Sequence, residues 1–218
     1  MAGLLGFFFR SEVVVSAVLG VFGVLCATFL SPLPALTVIG CLTPFIVVAY
    51  TAGMKDLRNL THFGVRLTVS VVPQFLGAFI VTFSSVFLLA LIVNASFSAA
   101  LATATSALIR ILKKEFAVFL SLTVCILLLS SVFVLDYVPL RNYTLVQIAI
   151  DINPFCAVFY GAANYDWLHS PSMYDRIGSF YPFRHPTISR TSLIYTVVAL
   201  LFLFVAFFRY RNLQTSVE

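Results

Sequence analysis

The sequence predicts an all-α polytopic membrane protein with six transmembrane helices. Three observations carry that reading. The chain of 218 residues is 61% hydrophobic and only 10% charged, with a mean hydropathy of +1.05, whereas a soluble domain usually carries about 25% charged residues. Long apolar runs recur, each about the length needed to cross a hydrocarbon core, and they alternate with short turns and charged islands. The basic residues of the short loops and span ends sort to one side of those runs, as cytoplasmic segments require. Arg141, Arg176, Arg184 and Arg190 fall in one long outer segment beside Asp136, Asp151, Asp166 and Asp175. The length suits one transmembrane domain over residues 1–218.

The chain starts with the apolar stretch 2–10, followed by Val13 to Leu30. No A-x-A-like site closes that run, so a cleaved signal peptide is not expected. Residues 2–10 are expected instead to form a short interfacial helix leading into span one. Ser31-Pro32-Leu33-Pro34 is a tight turn, because two prolines resist helix continuation. Span two runs from Ala35 to Ala52, with a kink expected at Pro44. The polar island at 53–66 follows, where Leu57, Leu60 and Phe63 recur at helical spacing and Lys55, Asp56, Arg58 and Asn59 cover the other side. That pattern fits a short amphipathic helix at the cytoplasmic surface, lying against lipid or docked in a partner's groove. A solvated loop fits the same residues.

Span three is expected over Leu67–Val93, with Pro73-Gln74 in its first third, and Asn94-Ala95-Ser96 as a turn. Span four, Phe97–Leu112, is rich in Ala, Ser and Thr, which let membrane helices approach closely. Lys113-Lys114-Glu115 is a second charged island, and span five runs from Phe116 to Leu135. Span six, Ser192 to Phe208, ends in Arg209-Tyr210-Arg211. With the N-terminus inside, Arg10, Lys55, Arg58, Arg66, Arg110, Lys113, Lys114, Arg209 and Arg211 all fall on the cytoplasmic side. The short outer turns carry no basic residue, so both chain ends are expected in the cytoplasm.

Between spans five and six lies the outer stretch 136–188, crowded with aromatic residues. Its apolar run 145–163 is interrupted by Asp151 and Asn153-Pro154. Asn suits an N-cap and Pro the first helical position, so one short helix is expected to end near Ile150 and another to begin at Pro154. Neither piece is long enough to span, and two such pieces at membrane depth read as a re-entrant hairpin shielded by protein. A folded outer loop with a partly buried core is the other reading.

No constellation of catalytic residues stands out. His62, His169 and His185 occupy separate polar segments without metal-ligand spacing, and phosphate-binding glycine motifs are absent. The net charge of +5 is not gathered into a patch, which argues against nucleic acid. Cys26, Cys41 and Cys125 sit in apolar runs as small hydrophobes, and Cys156 alone cannot build a disulfide framework. Every charge is expected at a span end, in an island or at the 151 break, so an ion-driven carrier is disfavoured. Gln74 is the deepest strongly polar side chain, either bonding between helices or lining a substrate path.

This layout resembles the permease subunits of type-2 ATP-binding-cassette (ABC) exporters. That family shows an interfacial N-terminal helix, six spans with both termini inside, and a cytoplasmic coupling helix between spans two and three. A re-entrant pair between spans five and six, often opening near Asn-Pro, completes the plan. The matching pieces here are 2–10, 53–66 and 145–163 with Asn153-Pro154-Phe155. Family members often carry a Pro and a basic residue after the coupling helix. Here Arg66 is basic, but the next Pro is Pro73, inside the span. The resemblance implies a permease in the plasma membrane that binds no cofactor itself and does not hydrolyse ATP. A separate nucleotide-binding ATPase subunit would bind ATP and act on Lys55, Asp56, Leu57, Arg58, Leu60 and Phe63. A second permease chain would complete the path, with Asp151, Asn153, Pro154 and Phe155 at an outer gate. A non-transporting accessory subunit of a larger respiratory or organellar complex is the competing class.

Overall fold

The structure, a computed structural model, describes residues 2–52, 60–134, 143–166 and 184–214, with side chains over 12–50, 52, 62–131, 144–166 and 184–206. Among them lie eight helices: α1 (Ala2–Phe29), α2 (Pro32–Thr51), α3 (Leu60–Thr82), α4 (Ser85–Leu108), α5 (Lys114–Val134), α6 (Tyr143–Ile152), α7 (Pro154–Gly161) and α8 (Ile188–Gln214). Six of these, α1 to α5 and α8, are long and apolar enough to cross a membrane.

Several boundaries differ from the sequence-based expectation. Residues 2–10 are not a separate helix, because α1 runs unbroken from Ala2. The turn expected at Asn94-Ala95-Ser96 lies mid-helix in α4, and the real break between the third and fourth spans is at Phe83-Ser84. The polar side chains at 94–96 have no need to leave the helix. Asn94 is buried and its amide donates to Ala90 O at 3.0 Å, while Ser96 Oγ bonds back to Ile92 O at 3.1 Å. Such back-bonding to the preceding turn lets short polar residues sit inside a helix. The actual turn rests on Phe83, whose φ of 51° is left-handed. A bulky aromatic in that region is an outlier without a sequence signature. The N–H of Ser84 then bonds to Thr82 Oγ1 at 3.3 Å.

The 53–66 island also divides differently. Residues 53–59, with Lys55, Asp56, Leu57 and Arg58, lie outside the described residues. Leu60 opens α3, and Phe63 is buried in the bundle core beside Leu36, Val71 and Phe75 in one cluster. Phe63 therefore does not face outward on a surface helix.

Packing positions everything else. The α1–α3 crossing is made by glycines: a Cβ on Gly23 would stand 2.0 Å from Gln74 O, and one on Gly77 2.3 Å from Gly20 O. Backbones approach this closely only where side chains are absent. A second cluster joins α4, α5 and α8 through Phe97, Leu101, Cys125, Leu129, Tyr195 and Ala199. Two contacts give the relative direction of α4 and α8. The rings of Phe97 and Tyr195 lie 4.8 Å apart, and Arg110 Nη1 donates to Ala206 O at 2.6 Å. The two helices thus run parallel. α5 turns back on α4 after residues 109–113 and brings Leu129 to the level of Tyr195.

Candidate functional site

The break at residue 153 bends α6 against α7 by 74°. Helix ends leave four N–H and four C=O groups without intrahelical partners, and such groups are costly wherever water is absent. Here every one of the four carbonyls at the end of α6 has a partner. Ser131 Oγ lies 3.3 Å from Ala149 O and 2.9 Å from Leu128 O, sharing its hydrogen between them. Asn153 N–H donates to Ile150 O at 3.2 Å. Thr191 Oγ1 donates to Asp151 O at 3.4 Å, and the Tyr195 hydroxyl donates to Ile152 O.

The start of α7 is satisfied just as fully. Asn153 takes the extended N-cap conformation (φ −80°, ψ 117°), and its Oδ1 accepts from Phe155 N at 2.9 Å and Cys156 N at 3.3 Å. Pro154 occupies the first helical position, where no N–H is needed. The amide end of Asn153 turns the other way, reaching Leu128 O and Leu129 O, both at 3.1 Å, and Ser131 Oγ at 3.0 Å. One fully buried side chain thus caps α7 and docks the bend onto α5.

Charge completes the arrangement. Asp151 is 7% exposed, and its Oδ2 lies 2.8 Å from Arg190 Nη2 at the start of α8. Gln147 Nε2 donates to Asp151 Oδ1 at 3.2 Å and to Arg184 O at 2.9 Å, while Arg184 N donates to Gln147 Oε1 at 3.0 Å. Beyond α7, the His185 ring stacks on Tyr160 at 3.8 Å and lies 3.3 Å from Asp166 Oδ1. Phe155 stacks on Phe159 at 5.7 Å, and its ring edge would meet a Cβ on Gly40 of α2 at 3.0 Å.

The structure therefore brings Asp151, Asn153, Pro154 and Phe155 together at one bend. Gln74 is elsewhere, fully buried at the α1–α3 crossing, with Nε2 bonded to Ser70 O at 2.6 Å and Oε1 without a partner. Sequence reasoning missed Ser131, Thr191 and Tyr195, whose roles depend on which carbonyls they meet. It also missed a buried cluster at the other end of the bundle, formed by Glu12, Tyr50 and Arg66. The signal for that cluster was available: Glu12 is an acidic residue at the edge of an apolar run, and such a residue needs a partner. Among the described residues no group of three His, Cys, Asp or Glu side chains is placed to hold a metal ion.

Tyr195→Phe isolates one carbonyl at the bend. Leaving a buried acceptor unpaired costs about 1–3 kcal/mol, so the variant is expected to melt below wild type in detergent while remaining monodisperse. An unchanged melting temperature would mean that Ile152 O finds water.

These features define an all-α chain with six helices long and apolar enough to cross a membrane and a hydrogen-bonded break between the fifth and sixth of them. No family model, curated protein or solved structure matches the chain.

Proposed function

We propose that this chain is the permease subunit of an ATP-driven exporter of the type-2 ABC kind. It forms a substrate path with a second permease chain and is driven by a separate ATPase subunit. One observation carries the proposal: the bent pair α6–α7 leaves α5 and rejoins α8 at the same end of the bundle. This follows because α5 runs against α4 while α8 runs with it, as the Phe97–Tyr195 and Arg110–Ala206 contacts support. The pair is then a re-entrant hairpin opening at Asn153-Pro154, in the position that the exporter permeases use for an outer gate. The ATPase-coupling contacts are assigned to the island residues that precede Phe63, which is itself buried. Exposed apolar side chains such as Val14, Val18 and Val21 of α1 are available to lipid or the second chain. The protein resides in the plasma membrane with both termini in the cytoplasm.

The test is isolation of the tagged chain from its native membranes in mild detergent, followed by identification of what accompanies it. An ATPase with a phosphate-binding loop, whose hydrolysis in proteoliposomes depends on this chain, is the expected result. A stable assembly of other membrane subunits with no ATPase would overturn the proposal in favour of an accessory subunit. Orientation is checked in parallel with membrane-impermeant thiol reagents on intact cells. Asn164→Cys, exposed beyond α7, is expected to label and Lys113→Cys, exposed before α5, to remain protected. Labelling of the latter alone would invert the topology and place the bend at the cytoplasmic face.

A further inference from the structure

The bend between α6 and α7 reaches far into the bundle. From Pro32 to Gly40 is about 12 Å, and from Ser85 to Asn94 about 14 Å, along a helix at 1.5 Å per residue. A hydrocarbon core is about 30 Å thick, so these positions on α2 and α4 stand near its middle. Phe155, in the first turn of α7, meets them there. A Cβ placed on Gly40 would lie 3.0 and 3.7 Å from Cε1 and Cζ of the Phe155 ring, and 3.6 Å from Asn94 Oδ1. The ring and the amide oxygen thus share the patch of α2 that Gly40 leaves bare.

What lies behind the ring is polar. Asn94 is 4% exposed and its Nδ2 donates to Ala90 O at 3.0 Å, but among the described residues its Oδ1 accepts no hydrogen bond. One turn further along the same face of α4, Ser98 is fully buried and its Oγ is also without a partner. Burying polar groups unpaired is costly, so packing alone does not account for two of them on adjacent turns. Phe155 covers them from the other side. It is half-buried in the stretch 153–159, whose other members are all buried, so its ring can be reached while Gly40 and Asn94 behind it cannot.

We infer that Phe155 is the plug of the outer gate, seated on Gly40, and that Asn94 and Ser98 are the polar groups it uncovers as it lifts. They then line this chain's side of the path. The gating role rests on the proposed exporter function, whereas the cover over a buried polar strip does not. The bend itself stays anchored, because turning one side chain breaks none of the hydrogen bonds that Asn153 makes to α5 and α7. Gly40 has no side chain to interlock with the ring, and Phe159, stacked on it at 5.7 Å, holds the closed position.

Two measurements test it, in nanodiscs, on the full chain with its four native cysteines replaced by alanine. The first needs no partner. Asn94→Cys and, as a nearly isosteric second reporter, Ser98→Cys are treated with a small water-soluble methanethiosulfonate. Both are expected to be protected beneath Phe155 and to react several-fold faster when combined with Phe155→Ala. Phe155→Leu keeps the bulk and is expected to keep the protection. Ala100→Cys, buried in the cluster that joins α4, α5 and α8, is expected to stay protected throughout. Unreactive thiols at 94 and 98 in the Phe155→Ala background overturn the cover. Equal reactivity at position 100 also overturns it, since the whole bundle would then have loosened.

The second uses the complex with its co-isolated ATPase, comparing ATP plus vanadate with no nucleotide. With Phe155 in place, trapping is expected to raise the reactivity of Ser98→Cys several-fold. No change in a complex that hydrolyses ATP makes the gating role wrong and leaves the exporter reading standing. If no ATPase accompanies the chain, the exporter reading and the gating role fall together, while the first measurement still decides whether Phe155 covers the strip.

Discussion

Asn153→Ala is expected to unseat the bend between α6 and α7 and to destabilise the protein by about 2–4 kcal/mol. The figure combines a lost N-cap, about 1 kcal/mol, with a docking amide whose buried partners lose a donor, about 1–3 kcal/mol. Both roles fall on one side chain, since Oδ1 caps Phe155 N and Cys156 N while Nδ2 reaches Leu128 O, Leu129 O and Ser131 Oγ. Asn153→Asp separates them. It keeps an acceptor for the cap but loses the donor, and it adds a negative charge two positions from the buried Asp151. At neutral pH the Asp variant is therefore expected to be no more stable than the Ala variant, despite its cap. Thermal unfolding in detergent, followed by loss of the monodisperse peak, gives the comparison. Wild-type melting in Asn153→Ala would show that the bend is held by Asp151–Arg190 and Tyr195 without it.

Gly23→Ala is expected to be as damaging through a different mechanism. Its Cβ would lie 2.0, 2.7 and 2.8 Å from the carbonyl oxygen, carbonyl carbon and Cα of Gln74. All three are backbone atoms, so no rotamer change relieves the clash and α1 must move away from α3. Overpacking a close-packed site typically costs about 1–3 kcal/mol, and this contact is tighter than a side-chain collision. Moving α1 also draws Glu12 away from Arg66, which stand 3.3 Å apart. Two controls sharpen the result. At Gly20 an added Cβ meets Pro73 only at 3.8 Å, and at Gly64 it meets nothing within 4 Å. Gly20→Ala is expected to be tolerated, and Gly64→Ala to gain up to about 1 kcal/mol of helix propensity. Folded yield and melting temperature should rank Gly64→Ala first and Gly23→Ala last. Equal behaviour at Gly20 and Gly23 would mean that the two helices do not cross there.

The six apolar helices and the break at Asn153-Pro154 were legible in the sequence because the signals are local. Hydrophobic runs of spanning length identify themselves, and an Asn followed by Pro states a helix start within two residues. The turn between the third and fourth helices was not legible. Asn94-Ala95-Ser96 has turn composition, yet those side chains are satisfied by carbonyls of their own helix. Phe83 has no turn composition and nevertheless takes a left-handed φ.

What the sequence determined by itself is the all-α class, the number of helices long and apolar enough to cross a membrane, and the helix start at Asn153-Pro154. Each depends on residues adjacent in the chain. Tertiary structure alone decided which distant groups complete those local choices. Ser131, Thr191 and Tyr195 are unremarkable hydroxyls until the end of α6 presents them with open carbonyls. Arg66, counted in the sequence among the cytoplasmic-side charges, lies 3.3 Å from a carboxylate 54 positions away, from residue 66 to residue 12. The physical reason is the same in each case. A polar group removed from water must find a partner, and composition states the need while only the packing of helices supplies the address.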